Sequence, residues 1–105
     1  MPKKFYGSVE VIWLYRPAVL AATRKAVRAL ARRRPEVRRF ILFGSMARGE
    51  AVPGSDVDLL MVLSECNDSF LDRIPRYMPS GIPIGVDVFP YTEAELKRML
   101  EEGNP

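Results

Sequence analysis

The sequence has 105 residues, of which 48% are hydrophobic and 28% are charged, and its formal net charge is +3. This length and balance favour one packed domain and argue against intrinsic disorder. The chain has no histidine, which excludes catalytic triads built on an imidazole and zinc sites of the histidine type. Cys66 is the only cysteine, so a disulfide within the chain and a cysteine-cluster metal site are excluded as well.

Two further properties concern the location of the protein in the cell and the distribution of charge along the chain. No apolar run approaches the roughly 18 residues of a membrane span, and we therefore expect a cytoplasmic protein with no membrane partner. Residues 1–40 hold 11 Lys and Arg against 2 Glu, whereas residues 41–105 hold 5 Lys and Arg against 11 Asp and Glu. One end of the chain is thus expected to attract anions, while the other gathers carboxylates.

The first half of the chain is predicted to form a strand, a helix and a second strand. Residues 8–15 are rich in β-branched and aromatic residues, and Arg16-Pro17 ends them as a short peripheral strand. Residues 17–33 carry one apolar stripe, which predicts a helix with Pro17 in its first turn. Residues 40–43 are a continuous apolar run, typical of a strand that is buried on both faces.

The second half is predicted to hold two further buried strands, at residues 57–63 and 84–89, each with one aspartate in an otherwise apolar run. Between them, residues 68–74 predict a short helix that Pro75 breaks or kinks. Thr92 follows the last strand.

A capping box is predicted where the last helix begins. Thr92 and Glu95 have its spacing, and Gly103 can end the helix that they open. Because helices and strands alternate, we expect an α+β two-layer fold in which helices pack on a small mixed sheet of three to four strands. Residues 1–105 are expected to form a single domain, with a peripheral strand at 1–16, a core with the metal site at 17–89 and a C-terminal helix at 90–105.

The segment after the second predicted strand has the features of a phosphate-binding turn. Gly44 ends the strand and permits a tight turn, and Ser45 can cap a short helix that Gly49 can end. Free N–H groups at the start of such a helix bind phosphate. The sequence therefore places an anion-binding turn at the end of a buried strand.

Three aspartates are candidates for a metal site. Asp56 and Asp58 are two residues apart on an extended segment, so their side chains project from one face, with Cα atoms about 6 to 7 Å apart. Two carboxylates beside an apolar strand repel each other, and a divalent cation is the natural means of keeping both ionised. Asp87 lies in another apolar strand and, if this strand is placed next to that of Asp56 and Asp58, would complete a three-carboxylate site for Mg²⁺.

These residues together resemble the signature of the minimal nucleotidyltransferases, the small single-domain branch of the DNA polymerase β-like nucleotidyltransferase superfamily. The resemblance extends from about the first helix to Asp87, and it implies a polymerase β-like palm fold. The matching positions are Gly44, Ser45, Ala47, Arg48, Gly49, Ser55, Asp56 and Asp58.

The resemblance implies a role for each aspartate. Asp56, Asp58 and Asp87 would be the catalytic residues and would hold two Mg²⁺ ions, with Mn²⁺ as an alternative, and Asp87 would also help to activate the attacking hydroxyl. The implied reaction moves a nucleoside monophosphate from a nucleoside triphosphate to a hydroxyl group and releases pyrophosphate. Two metal ions can clamp the attacking and leaving oxygens, so this chemistry does not require histidine.

The resemblance also implies a nucleotide site. Gly44 and Ser45 would contact the triphosphate, Arg48 would assist them, and Ser55 would belong to the same site. For Arg48, an ion pair with Glu50 on the surface is an equally good interpretation.

The acceptor is expected to come from another molecule, because only three residues follow Glu102. Minimal nucleotidyltransferases are commonly encoded with a HEPN-domain protein, as toxin-antitoxin pairs in which the partner is modified and silenced. The resemblance therefore implies ATP as donor and a protein hydroxyl, that of a tyrosine, as acceptor. A homodimer or a hetero-complex would suit so small a domain.

Two other functions stay open. The chain could be a non-catalytic antitoxin-like module that acts by occlusion, or an RNA-directed nucleotidyltransferase. The second rests on a basic row that is also explained as a solvated helix face. This row consists of Arg24, Lys25, Arg28 and Arg32, and it continues into Arg33 and Arg34.

Overall fold

The computed structural model describes residues 16–51 and 54–103. Within them, four helices pack on a three-stranded mixed sheet, which confirms the α+β class. The helices are α1 (Arg16–Arg33), α2 (Gly44–Arg48), α3 (Phe70–Arg76) and α4 (Glu93–Glu101), and the strands are β1 (Val37–Phe43), β2 (Val57–Leu63) and β3 (Val86–Thr92). The strand predicted at residues 8–15 lies outside the described residues.

The sheet has the order β1-β2-β3, with β1 antiparallel and β3 parallel to β2. In this register Asp58 of β2 pairs with Phe43 of β1 on one side and with Asp87 of β3 on the other. Paired residues of neighbouring strands share a face of the sheet, and side chains alternate between the faces along each strand. We call this face the aspartate face. It carries Arg39, Ile41 and Phe43 of β1, Asp58, Leu60 and Val62 of β2, and Asp87, Phe89 and Tyr91 of β3.

The hydrophobic core lies on the opposite face of the sheet. The apolar stripe of α1 brings Val19 and Leu30 into one buried cluster with Leu59, Met61 and Leu63 of β2. The remaining members of this cluster are Val37, Met46, Val57, Tyr77 and Val88. Because α1 covers this face, its exposed basic row points away from the sheet, on the side of the domain opposite the aspartate face.

The prediction that residues 40–43 are buried on both faces is wrong. Strand β1 already begins at Val37, and on the aspartate face Ile41 and Phe43 remain 42% and 40% exposed. Strand β1 has a neighbour on one side only in the described sheet, and α1 packs against the other face. A continuous apolar run therefore marks one buried face here, together with an exposed apolar surface.

Other element boundaries also differ from those predicted. Arg16 lies in the first turn of α1 and not in a peripheral strand, β3 covers Val86–Thr92 and not residues 84–89, and the C-terminal helix predicted at 90–105 is limited to Glu93–Glu101. Helix α3 begins after Ser69, whose side chain accepts a hydrogen bond from Asp72 N–H, and it continues past Pro75 to Arg76. Since Pro75 lies in the last turn, it removes only one hydrogen bond within the helix and does not end it.

A buried arginine joins α3, β3 and α4. Arg73 is 4% exposed, and its guanidinium donates hydrogen bonds to the backbone oxygens of Asp68 and Pro90 and to both carboxylate oxygens of Glu95, at 2.7 and 2.9 Å. Glu95 also accepts from Thr92 N–H, and Thr92 Oγ1 accepts from Glu95 N–H, which confirms the predicted capping box. Glu95 thus caps α4 and neutralises Arg73 at the same time.

Candidate active site

Asp58 is the centre of an acidic group at one end of the sheet. Asp87 is its direct neighbour across the parallel pair of strands, which lie about 4.8 Å apart, and Asp56 lies immediately before β2. Burial raises the pKa of the Asp58 carboxyl, and the charges of Asp87 and Asp56 raise it further, while Arg48 opposes the shift. The structure therefore brings all three predicted aspartates within electrostatic reach of one another.

Two glycines make room for these carboxylates. Gly44 has a φ of +80°, and a Cβ atom there would overlap Oδ2 of Asp58. A Cβ atom on Gly85 would lie 2.5 Å from Oδ1 of Asp56. The turn at Gly44 was predicted from the sequence, whereas the role of Gly85 was not, because nothing in the local pattern shows that Asp56 of a distant segment lies against it.

The residues of the predicted nucleotide site lie together at the end of β1. Helix α2 begins at Gly44, with Phe43 at its N-cap, and no side chain caps it, so the prediction that Ser45 caps this helix is wrong. Ser45 lies inside the first turn, and its hydroxyl instead donates to that of Ser55, at 3.4 Å. Gly49 ends the helix in the left-handed conformation, as predicted.

Arg48 forms an ion pair with Glu50 at 2.7 Å, and both side chains are largely exposed. The charge of Arg48 also lowers the pKa of Asp58, so Arg48 lies close to the acidic group while it pairs with Glu50. An exposed pair of this kind contributes little to stability and is easily exchanged for another anion.

Arg16 is a structural residue of this region that the sequence analysis missed. Its Nε and Nη2 atoms donate to the backbone oxygen of Met46, at 2.9 and 2.7 Å. Carbonyl groups at the end of a helix lack partners within the helix, so this contact fixes α2 to the start of α1. No sequence pattern indicates a contact between residues so far apart in the chain.

A cavity of about 280 Å³ opens beside Asp56, between the start of α1 and the loop before β3. Its lining is mostly apolar, with polar groups from Arg16, Ser55 and Asp56. This combination of an apolar wall and a few polar groups is typical of small-molecule sites.

The donor chemistry of the acidic group suits a hard divalent cation. Mg²⁺ prefers carboxylate oxygens and commonly takes one or two of them together with substrate phosphates. Burial raises the pKa of Asp58 most, the charges of Asp87 and Asp56 raise it further, and a bound cation would compensate these charges. Within residues 16–51 and 54–103, no group of three or more His, Cys, Asp or Glu side chains is gathered closely enough to surround one ion, so the three-carboxylate metal site stays a prediction.

The described residues contain no helix that is both long and apolar enough to cross a membrane. No protein of curated function shows significant similarity to the chain. A crystal structure of a candidate nucleotidyltransferase from Sulfolobus solfataricus has a similar fold, with a TM-score of 0.63 and 24% sequence identity over 91% of this chain and 85% of that one.

The family model for nucleotidyltransferase domains matches residues 23–103. This range includes every predicted site residue, from Gly44 to Asp87. The chain therefore belongs to the nucleotidyltransferase domain family and is a transferase enzyme.

Proposed function

We propose that this protein is a Mg²⁺-dependent nucleotidyltransferase that moves AMP from ATP to a hydroxyl group of a separate protein, a HEPN-domain toxin in a toxin-antitoxin pair. The observation that carries the proposal is the juxtaposition of Asp58 with Asp87 and Asp56, directly beside the turn that holds Gly44 and Ser45. A reaction on an anionic triphosphate needs both an anion-binding turn and a means of compensating the charge of the phosphates.

Asp56, Asp58 and Asp87 would hold the metal. Mg²⁺, or Mn²⁺ in its place, would supply the positive charge that stabilises the oxygens of the transferred phosphoryl group. The carboxylate of Asp87 is exposed and would accept the proton of the acceptor hydroxyl. The acceptor oxygen forms a bond with the α-phosphorus, and the bond from that phosphorus to the bridging oxygen breaks, so that pyrophosphate leaves.

The rest of the site would bind the nucleotide. The hydroxyls of Ser45 and Ser55 lie together and would face the triphosphate, and the guanidinium of Arg48 would exchange Glu50 for a phosphate oxygen. The mostly apolar cavity beside Asp56 would take the nucleoside.

The first test is calorimetric titration of ATP into the protein, with Mg²⁺ and with EDTA, followed by incubation with labelled ATP and a HEPN-domain partner. We expect Mg²⁺-dependent binding and labelling of the partner, and we expect Asp58→Asn to reduce the labelling by about 100-fold or more. Asp72→Asn is the matched control, because Asp72 is an exposed aspartate on α3, away from the site. Equal labelling by wild type and Asp58→Asn would contradict the proposal.

RNA as acceptor is less well supported by the structure. The basic row of α1 lies on the side of the domain opposite the aspartate face. An RNA strand held by this row would lie on the other side of the sheet from Asp58 and Asp87.

A further inference from the structure

Two phenylalanines form a ring pair beside the aspartates. The rings of Phe43 in β1 and Phe89 in β3 have centroids 5.4 Å apart and planes inclined by 58°. Because β2 lies between these strands, the two rings meet above β2. Phe43 is the direct partner of Asp58, and Phe89 lies two residues from Asp87 on the same face.

This ring pair is part of an exposed apolar surface. Phe43 is 40% exposed, and Ile41, two residues along β1 on the same face, is 42% exposed. We call Ile41, Phe43 and Phe89 the aromatic platform. None of the three has a role in the nucleotide site, whose residues come from α2, from the loop before β2 and from the three aspartates. Exposed large apolar side chains beside a reaction centre mark a surface that a partner covers.

The charges around the platform indicate the kind of partner. The carboxylates of Asp58 and Asp87 lie at one end of the aspartate face, and Arg39, exposed and without an ion pair among the described residues, lies at the other. Phe43 and Arg39 are four positions apart along β1, or about 13 Å. A complementary segment is therefore apolar in the middle and carries an acidic residue opposite Arg39.

A nucleic acid fits this surface less well. Most of its affinity would come from cations that contact phosphates. Apart from Arg39, the strand residues of the aspartate face include no cation among the described part of the chain, and the basic row of α1 faces the other way.

We propose that the aromatic platform docks the acceptor segment of a partner protein, through an aromatic or aliphatic side chain at or next to the acceptor hydroxyl, and so places that hydroxyl beside Asp58 and Asp87. The inference rests on the proposed function in one respect, namely that the acceptor is a protein. In this proposal Phe43 and Ile41 select the acceptor. They determine specificity for the acceptor and not for ATP.

The test measures binding of blocked pentapeptides to the isotope-labelled full-length protein by NMR. The peptides are alanine sequences with a central tyrosine, phenylalanine or serine, used up to about 5 mM because single-residue contacts are weak. We expect the tyrosine and phenylalanine peptides to shift the side-chain resonances of Ile41, Phe43 and Phe89, and to bind about tenfold more tightly than the serine peptide.

Substitutions separate this role from a structural one. Phe43→Ser and Ile41→Ser should each weaken binding of the tyrosine peptide about tenfold, while Phe43→Leu should retain most of it. Leu100→Ser is the matched control, because Leu100 is a 79% exposed apolar residue on α4, and it should change nothing. Ile41→Ser keeps the test decisive if Phe43→Ser fails to fold.

Three outcomes would overturn the inference: equal binding of the tyrosine and serine peptides, shifts confined to other residues, or tighter binding of a uridine tetranucleotide on the same rings. Calorimetry with ATP and Mg²⁺ on the same proteins keeps the two proposals distinguishable. If the wild type does not bind ATP in the presence of Mg²⁺, this result would count against the nucleotidyltransferase proposal. The peptide-induced shifts test independently whether the aromatic platform binds the acceptor segment.

Discussion

The carboxylate of Asp58 occupies the space where a side chain of residue 44 would begin, because a Cβ atom on Gly44 would overlap Oδ2 of Asp58. The backbone of the turn therefore touches the carboxylate at the centre of the acidic group, and the positive φ of Gly44 makes this approach accessible to glycine. A triphosphate that binds to the turn would therefore also lie next to the carboxylate of Asp58.

Gly44→Ala is predicted to reduce ATP binding far more than it reduces stability. Gly49 provides a control, since its φ of +77° is nearly the same but nothing lies within 4 Å of its Cβ position. Each substitution should cost about 1 kcal/mol of unfolding free energy through backbone strain. Only Gly44→Ala should also displace Asp58 and weaken binding of ATP with Mg²⁺. Thermal unfolding and calorimetry measure the two effects, and similar ATP affinities for both variants would argue against the role assigned to this contact.

Asp58→Asn is expected to make the protein more stable while removing activity. Burial and the charges of Asp87 and Asp56 raise the pKa of Asp58 above its ordinary 3.8. The folded state therefore binds a proton more tightly than the unfolded state, and stability falls as pH rises through the interval between the two pKa values. At neutral pH, removal of this charge should add about 1 kcal/mol of unfolding free energy. Denaturant unfolding measures it, with Asp72→Asn as a control that should stay within about 0.5 kcal/mol of wild type.

Glu95 is predicted to make stability sensitive to acid. The hydrogen bonds from Arg73 lower the pKa of Glu95 from 4.5 to about 2. The folded state then binds this proton more weakly than the unfolded state does. The stabilisation by ionised Glu95 is therefore fully present above pH 4.5 and is lost as pH falls toward 2. A shift of this size corresponds to about 3 kcal/mol, and partial exposure of Glu95 to solvent reduces the expected contribution to about 1 to 2 kcal/mol.

The measurement is denaturant unfolding of wild type and Glu95→Gln at steps between pH 5 and about pH 2, the interval in which the Glu95 contribution disappears. The stability of Glu95→Gln should depend less on pH in this interval. Glu93→Gln is the control, because Glu93 is an exposed residue of the same helical turn. Parallel pH profiles for wild type and Glu95→Gln would mean that the contact with Arg73 does not control this titration.

Arg16→Met is predicted to weaken ATP binding, because Arg16 both positions the turn at Gly44 and lines the cavity proposed for the nucleoside. Arg16 fixes the backbone of α2 through Met46, and we expect its loss to let the turn at Gly44 shift, with a reduction in ATP affinity of about tenfold. Arg24→Met removes an exposed cation from the same helix and should leave ATP affinity unchanged. An equal loss in both variants would point to a general effect of charge.

Occlusion without catalysis makes a different prediction for the Asp56→Asn/Asp58→Asn double variant. If modification silences the HEPN-domain partner, the double variant should still fold but should no longer inhibit the partner's activity. Inhibition that survives the double substitution would favour the occlusion mechanism. The assay compares partner activity after incubation with each protein, with and without ATP.

The local chemistry of the site could be predicted from sequence because it depends on residues close together in the chain. The spacing of Asp56 and Asp58 predicts two carboxylates close together, although only Asp58 belongs to β2, and Gly44 and Gly49 mark the two ends of a short helix. The lone aspartate in an otherwise apolar strand made Asp87 a candidate for the same site, and the structure pairs it with Asp58.

The missed features all depend on pairing between distant segments. Ile41 and Phe43 are exposed because they lie on the face of the sheet that α1 does not cover, and an apolar run is the same whether a helix covers one face or both. The contacts of Arg16 with Met46 and of Gly85 with Asp56 likewise arise only when separate segments meet. Local patterns carry no information about such contacts.

The pairing of Asp58 with Asp87 also protects the fold against misassembly. Strands β2 and β3 are both rich in apolar residues, so a shift of β3 by one residue would still pair apolar side chains over much of its length. The same shift would turn Asp87 toward Leu59 and Met61 in the core, where an unpaired carboxylate is strongly destabilising. The residues proposed to bind the metal therefore also decide which of two nearly equivalent alignments the chain adopts.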